Sequence, residues 1–167
     1  MERTYVKDVF EKKHGDEVLL KGWVYDSRDL KKVKFIILRD MSGRVQVTAV
    51  DGESSQEILD IISKVTRETA VEIKGIIKEC KQAPGGKEIS PTEITVFSES
   101  MQPLPVDTLD YKETELSKRL DYRFLDCRRK GVSQIFSIRS SIYRHVVDFF
   151  HNNKFTVINT PKITTIG

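Results

Sequence analysis

The stretch GWVYDSRDLKKVKFIILRDMSGRVQV, residues 22–47, carries the ends of two strands, the whole of a third between them, and the turns that join them. Residues 17–28 alternate: Val18, Leu20, Gly22 and Val24 against Glu17, Leu19, Lys21 and Trp23. That period of two predicts a long strand, with Gly22 permitting a bend or bulge. VKFIILR, residues 33–39, predicts a second strand, and Asp40-Met41-Ser42-Gly43 is a tight-turn signal. From Arg44 to Val50 the alternation is clean, with Val45, Val47 and Ala49 on one face and Arg44, Gln46 and Thr48 on the other.

Working outward, Ser54 or Ser55 can cap a helix whose apolar face is Ile58, Leu59, Ile61, Ile62 and Val65. AVEIKGIIKE, residues 70–79, predicts a fourth strand, and the loop Ala83-Pro84-Gly85-Gly86 leads into a fifth near 88–97. Upstream, Val6, Val9 and Phe10 fall on one face of a short helix within 4–13, ended by His14-Gly15-Asp16. Five strands with one helix between the third and fourth is the order of an OB-fold, an all-β barrel. A small five-stranded sandwich shares the strand count.

Past residue 98 the character changes. Pro103, Pro105, Asp107, Asp110 and Glu113 mark a linker, and SKRLDYRFLDCRRKG, residues 117–131, is dense in charge and aromatics. Ser133 is expected to open a helix bearing Ile135, Phe136, Ile138, Ile142, Val146, Phe149 and Phe150, ended by Asn152-Asn153. Phe155 to Ile158 then reads as a strand closed by Thr160-Pro161. The domains expected are a barrel over 1–102, a hinge over 103–132, and the incomplete start of an α+β domain over 133–167.

Composition narrows the function classes. Of the 167 residues, 38% are hydrophobic and 32% charged, and no apolar run approaches the roughly 20 residues needed to span a bilayer. No signal peptide is read after Met1, so a cytoplasmic location without a membrane partner is expected. Cys80 and Cys127 form no CxxC pair, and His14, His145 and His151 offer no metal spacing, so two reduced thiols and no metal site are expected. The net charge is +3, distributed unevenly: residues 1–103 hold 17 basic and 18 acidic side chains, residues 104–167 hold 11 and 7. Arg28 to Arg44 and Lys118 to Lys130 concentrate the positive charge. Basic patches on a near-neutral body suit a specific nucleic-acid contact, although two solvated charged faces would look the same.

Three stretches together resemble the class II aminoacyl-tRNA synthetases of the aspartate, asparagine and lysine subgroup. They are GWVYDSRDL…KFIILRDMSGRVQV over 22–47, LSKRLDYRFLDCRR over 116–129, and IFSIRSSIYRHVVDFFHNNKFTVINTPKI over 135–163. With the APGGKEI loop and PLPVD, they are most similar to the archaeal-type aspartyl enzymes, and they run through the chain in family order. Two departures are visible. Lys130-Gly131 stands where arginine-proline-type hinge endings are common, and Lys154 replaces a usual glycine.

The resemblance implies an OB barrel that reads a tRNA anticodon of the aspartate type. Arg28, Phe35 and Gln46 match the family positions that hold the central uridine. Phe35 offers a stacking surface, Gln46 a donor and an acceptor for a base edge, and Arg28 a donor to a base carbonyl or a phosphate. Unaided, Phe35 is as well read as a core aromatic, Gln46 as a solvated strand residue, and Arg28 as an ion-pair partner of Asp26 or Asp29. Tyr25 and Pro84 align near an anticodon base that separates aspartate from asparagine anticodons, though Pro84-Gly85-Gly86 reads equally as a plain turn. Lys31 and Lys32 are candidate phosphate contacts. Residues 135–161 match motif 1, which implies a homodimer interface including Phe155 and Pro161. The loop that closes over the amino acid is expected to begin just after Thr165. Motifs 2 and 3 are not in this sequence, so no catalytic residue is expected in it. ATP and Mg2+ are implied for the full-length enzyme and no cofactor for this chain, which is expected to bind rather than catalyse. The alternatives are a fragment of an asparaginyl enzyme, or a free-standing OB module for tRNA or single strands.

Overall fold

The computed structural model describes residues 1–163. The chain divides into two compact units, Met1–Pro103 and Leu104–Gly167.

In the first unit β1 (Glu17–Leu30), β2 (Val33–Arg39), β3 (Arg44–Val50), β4 (Ala70–Glu79) and β5 (Lys87–Ser98) form a closed barrel in the order β1-β2-β3-β5-β4. Every pairing is antiparallel except β3 with β5, the parallel contact that closes the ring at Gln46↔Glu88 and Val47↔Ile89. The five-stranded OB barrel read from the sequence is therefore what forms. Alternation decides which atoms go inside. Val18, Leu20, Val24, Ile36, Leu38, Val47, Ala49, Val71, Ile73, Ile77 and Ile89 are fully buried, and each lies on the inward parity of its strand. Removing that apolar area from water is the main favourable term for the barrel.

Helix α2 (Gln56–Lys64) adds Ile58, Leu59 and Ile62 to the same core. Of the two candidate caps, Ser55 is the one used: its hydroxyl accepts from the Ile58 amide, whereas Ser54 accepts from the Val50 amide. The expected 4–13 helix shrinks to one turn, α1 (Val6–Val9). The Thr4 amide bonds the Leu19 carbonyl, which holds the preceding chain extended, and Gly15 takes φ +89° to start β1. Val6, Val9 and Phe10 still pack on the core, so spacing found the face but not the length. Asp40 fastens this segment down. One carboxylate oxygen accepts from the Val6 amide at 2.9 Å; the other accepts from the Ser42 amide and hydroxyl and the Gly43 amide at 2.7–3.0 Å.

Gly22 is not the bulge. The register of β1 shifts between Val24 and Asp26, so Tyr25 is the extra residue. Gly22 instead allows a close approach: a Cβ there would lie 2.4 Å from the Arg39 carbonyl oxygen.

The second unit contains α3 (Leu116–Asp121), α4 (Arg123–Asp126) and α5 (Lys130–Asn152). Helix α5 begins at Lys130, earlier than the expected Ser133, because Arg129 is extended and its carbonyl already accepts from the Ser133 amide. It ends at Asn152 with Asn153 as its C-cap, and the next residue, Lys154, sits at φ +66°. That left-handed conformation favours glycine, which gives a physical reason for the glycine usual there in the family. The expected strand Phe155–Ile158 does not form; these residues carry no regular secondary structure, and the Phe155 amide donates back to the Phe150 carbonyl. Their β-branched and aromatic composition suits a strand, but a strand needs a hydrogen-bonding partner, and none is present among the described residues. Phe155 instead meets Phe150 edge-on at 5.3 Å, and both Phe155 and Pro161 are exposed. Ile135, Ile138, Ile142 and Phe149 are also exposed along α5. Thr165 lies outside the described residues.

Asp126, on α4, is fully buried and draws in Arg119, Arg123 and Arg129, with Arg129 also reaching Asp110. The hydrogen bond from Arg119, opposed by burial and aided by Arg129, holds the Asp126 carboxyl below its ordinary 3.8. A depressed carboxyl contributes stability that is complete above its ordinary value and is lost as pH falls through the lower folded value. At pH 6 amide-exchange protection of Leu125 to Arg129 should therefore be greater in the parent than in Asp126→Asn. The difference should shrink as the pH drops below about 4. Equal protection at pH 6 would show that the cluster does not order this segment.

Candidate nucleic-acid interface

The inward parity of β2 is taken by Ile36 and Leu38, so Phe35, Ile37 and Arg39 point to the outer surface of the barrel. Register then fixes their neighbours. Phe35 is flanked by Arg28 on β1 and by Thr48 on β3; Ile37 is flanked by Asp26 and Gln46, and Gln46 by Glu88 on β5. Four strands thus bring Arg28, Phe35, Gln46, Thr48 and Glu88 onto one continuous patch.

Within that patch Phe35 is half-buried. The Arg28 guanidinium lies 6.0 Å from the ring centroid, and its ion pair with Asp26 is loose at 3.8 Å. An exposed contact of that length contributes little, so Arg28 keeps its donors for a ligand. Gln46 is more tightly held. Its Nε2 donates to Thr48 Oγ1 at 3.1 Å and to Glu88 Oε2 at 3.0 Å, and Thr48 Oγ1 donates to the same Glu88 oxygen at 2.7 Å. The two acceptors are on the same side of the nitrogen, so the NH2 group of the amide is turned toward Thr48 and Glu88.

The bulge puts Tyr25 beside two guanidinium groups, Arg44 at 4.3 Å and Arg39 at 5.6 Å from its ring centroid. Arg39 is fixed from the other side by Glu68, whose two oxygens accept from one guanidinium nitrogen at 3.0 and 2.8 Å. Pro84 is exposed at the start of a short 3-10 turn, Pro84–Gly86. The turn is tied down rather than loose. Gly85 sits at φ +78° where a Cβ would lie 2.5 Å from the Phe10 ring, and the Lys87 ammonium donates to the Phe10 and Lys12 carbonyls.

Lys31 and Lys32 form the β1–β2 turn and are exposed, Lys31 at φ +59° with its amide donating to Asp29. Lys34, in the same basic stretch, is committed to Asp29 at 2.9 Å and to the Ser63 hydroxyl. The Lys34 hydrogen bond in turn keeps the Asp29 carboxyl below its ordinary value. Sequence reasoning missed Thr48, Arg39, Arg44 and Glu88. Thr48 and Arg44 flank Gln46 at two-residue spacing, so strand parity could have found them; Glu88 comes from the ring-closing strand, and no local signal names it.

A half-buried aromatic on the outer face, between a loosely paired arginine and an oriented amide and bordered by a basic turn, is the arrangement of a single-stranded nucleic-acid platform. Comparison with known proteins agrees. Residues 18–97 match the family of OB-fold nucleic acid binding domains called tRNA anti-codon, and residues 115–167 match the class II tRNA synthetases (D, K and N). The chain belongs to the class II tRNA synthetase family of the aspartate, lysine and asparagine type.

Within that synthetase family its similarity is to aspartate enzymes. The chain is 41% identical over 164 residues to an aspartate–tRNA(Asp) ligase from Thermococcus kodakarensis, covering 98% of this chain and 37% of that protein. It is 40% identical over 159 residues to an aspartate–tRNA(Asp/Asn) ligase from Methanothermobacter thermautotrophicus, covering 95% and 36%. It thus spans little more than a third of the curated relatives it matches. Among solved structures, asparaginyl-tRNA synthetase from Pyrococcus horikoshii with asparaginyl-adenylate superposes with a TM-score of 0.87 at 25% identity, over 96% of this chain and 37% of that one. The barrel of the present synthetase chain is an anticodon-binding OB domain, followed by part of a class II catalytic region.

Proposed function

We propose that this chain is the tRNA-reading front of an aspartate–tRNA ligase and that its own activity is to bind the anticodon loop of an aspartate-type tRNA. The observation that carries the reading is the outer sheet face on which Arg28, Phe35 and Gln46 meet. Phe35 supplies stacking, which every base satisfies; Arg28 and the Gln46 oxygen supply the hydrogen bonds that select uridine. Tyr25 and Pro84 border the base that separates aspartate from asparagine anticodons. The relatives' names include both the aspartate-only and the aspartate/asparagine type.

The full-length protein would activate aspartate with ATP and Mg2+, as a cytoplasmic homodimer joined partly through the motif 1 segment with Phe155 and Pro161. An asparaginyl enzyme would share the barrel, and fold does not separate the two readings, because asparaginyl and aspartyl enzymes superpose on the chain equally well. The 41% identity to an aspartate ligase favours the first.

Binding is tested by titrating the chain with an aspartate-type anticodon stem-loop and with the same stem closed by an unrelated loop. Tighter binding of the anticodon loop is expected; equal affinity would contradict the reading. Lys31 and Lys32 should act through phosphate. Lys31→Ala or Lys32→Ala should weaken all loops alike and reduce the slope of log affinity against log salt by roughly 0.7–1. An unchanged slope would remove them from the interface. The chain alone should make no aspartyl-adenylate, because its sequence holds no arginines or carboxylates of motifs 2 and 3 to neutralise a pentavalent phosphate. Aspartate-dependent pyrophosphate exchange at background level is expected; measurable exchange would overturn this.

A further inference from the structure

The Pro84–Gly86 turn contains two residues that resist ordering. Gly85 and Gly86 sit at φ +78° and +76°, and glycine loses more conformational freedom on ordering than any other residue. The turn closes on itself through the Gly86 amide on the Ala83 carbonyl at 2.9 Å and the Cys80 amide on the Gly86 carbonyl at 3.0 Å. The segment after α1 holds it from outside. On the β4 side, the Gly15 amide bonds the Ile77 carbonyl, the Ile77 amide bonds the Asp16 carbonyl, and His14 Nδ1 accepts from the Glu79 amide at 3.2 Å. On the β5 side, Lys87 has the same parity as fully buried Ile89, an unusual place for an ammonium. Two carbonyls satisfy it there, those of Phe10 and Lys12, which lie past the end of α1 and have no helical partner. The Phe10 ring meets Gly85 so closely that a Cβ would lie 2.5 Å away. The segment is itself anchored, because Val6 and Val9 are buried in the core and the Val6 amide donates to Asp40.

We propose that Lys87 and Phe10 are positioning residues for anticodon recognition: through them the segment Phe10–Asp16 holds the Pro84–Gly86 turn in its RNA-binding conformation before RNA arrives. The inference rests on the anticodon-reading function proposed above, which sets Pro84 beside the base that separates aspartate from asparagine anticodons. A turn with two glycines that ordered only on binding would lose its freedom at that moment, and its contact would be weaker by that amount. Held in advance, it meets the base without that loss. Adjacent residues of β5 thus have separate tasks. Glu88, on the outer parity, bonds Gln46; Lys87, on the inner parity, fastens the turn.

The test uses the 167-residue chain and three stem-loops. One carries the intact aspartate-type anticodon, one is abasic at the central position, and one is abasic at the position where aspartate and asparagine anticodons differ. The parent should lose roughly tenfold in affinity at each abasic site. Lys87→Met keeps the apolar stem and removes the donors. It should bind the intact loop roughly tenfold more weakly, and its loss at the flanking abasic site should fall toward one. Its loss at the central abasic site should match the parent's, since Arg28, Phe35 and Gln46 are untouched. Amide exchange of Cys80 and Gly86 should quicken in the same variant. Phe10→Leu, which removes the ring from Gly85 and keeps an apolar side chain, should shift both readouts in the same direction.

An undiminished loss at the flanking site in Lys87→Met would overturn the inference while leaving the anticodon reading standing. Equal reduction of both losses would also overturn it, by making Lys87 a support of the whole barrel. A parent indifferent to the flanking site alone would remove the base contact at Pro84 and the inference with it. A parent indifferent to both sites would overturn the proposed function itself. If urea unfolding shows that Lys87→Met has lost the barrel, Phe10→Leu decides by the same criteria.

Discussion

Glu68→Ala should destabilise the barrel by about 3–5 kcal/mol, the range for breaking a largely buried ion pair by removing one partner. The side chains of Arg39 and Glu68 are 14% and 3% exposed, and they meet at 2.8 Å. Deleting the carboxylate removes this ion pair from a site that gives the guanidinium little water. Glu68 also sits at φ +68° while its amide bonds the Val24 carbonyl, so the residue joins the middle of β1 to the entry of β4. Urea unfolding should show a lower midpoint at unchanged slope. Because buried ion pairs often contribute little net stability against well-packed apolar groups, Arg39→Met combined with Glu68→Leu should recover much of the loss. A single replacement that costs under about 1 kcal/mol would show that Arg39 finds solvent and that the pair is a surface contact.

Phe35→Ala should weaken binding of an aspartate-type anticodon stem-loop by about 1–3 kcal/mol, or about 5- to 150-fold in Kd, the range for losing one stacked base. The barrel should survive the change, because Phe35 is on the outer parity of β2 while Ile36 and Leu38 fill the core. Gln46→Ala should behave differently. It removes a base-edge contact rather than a platform, so it should narrow the preference for central uridine more than it lowers overall affinity. A Phe35→Ala variant that unfolds would place the ring in the core, against the register observed.

The barrel was legible because three of its five strands announce their faces. RVQVTAV alternates strictly, and its inward valines and outward Gln46 and Thr48 follow from period two. VKFIILR does not alternate in polarity, so its sequence cannot say whether Phe35 or Ile36 turns inward. Pairing with Arg28 and Thr48 settles it. The bulge at Tyr25 carries no glycine or proline, while Gly22 carries the glycine for a different reason, close approach to the Arg39 carbonyl. Glu88 was invisible because it reaches Gln46 through the one parallel pairing, across 42 positions of sequence. Phe155–Ile158 has strand composition without a strand, since pairing is a property of two segments and composition of one.

Anticodon reading by this barrel rests on a single stack, Phe35 against the central base. An aspartate-type stem-loop carrying 5-iodouridine at that position, irradiated in complex with the 167-residue chain, tests it most directly, because the halogenated ring couples to an aromatic side chain stacked on it. One dominant crosslink is expected, found by mass spectrometry on the tryptic peptide from Phe35 to Arg39. A crosslink at exposed Phe97 instead, or none at Phe35 under conditions where the loop is bound, would contradict it.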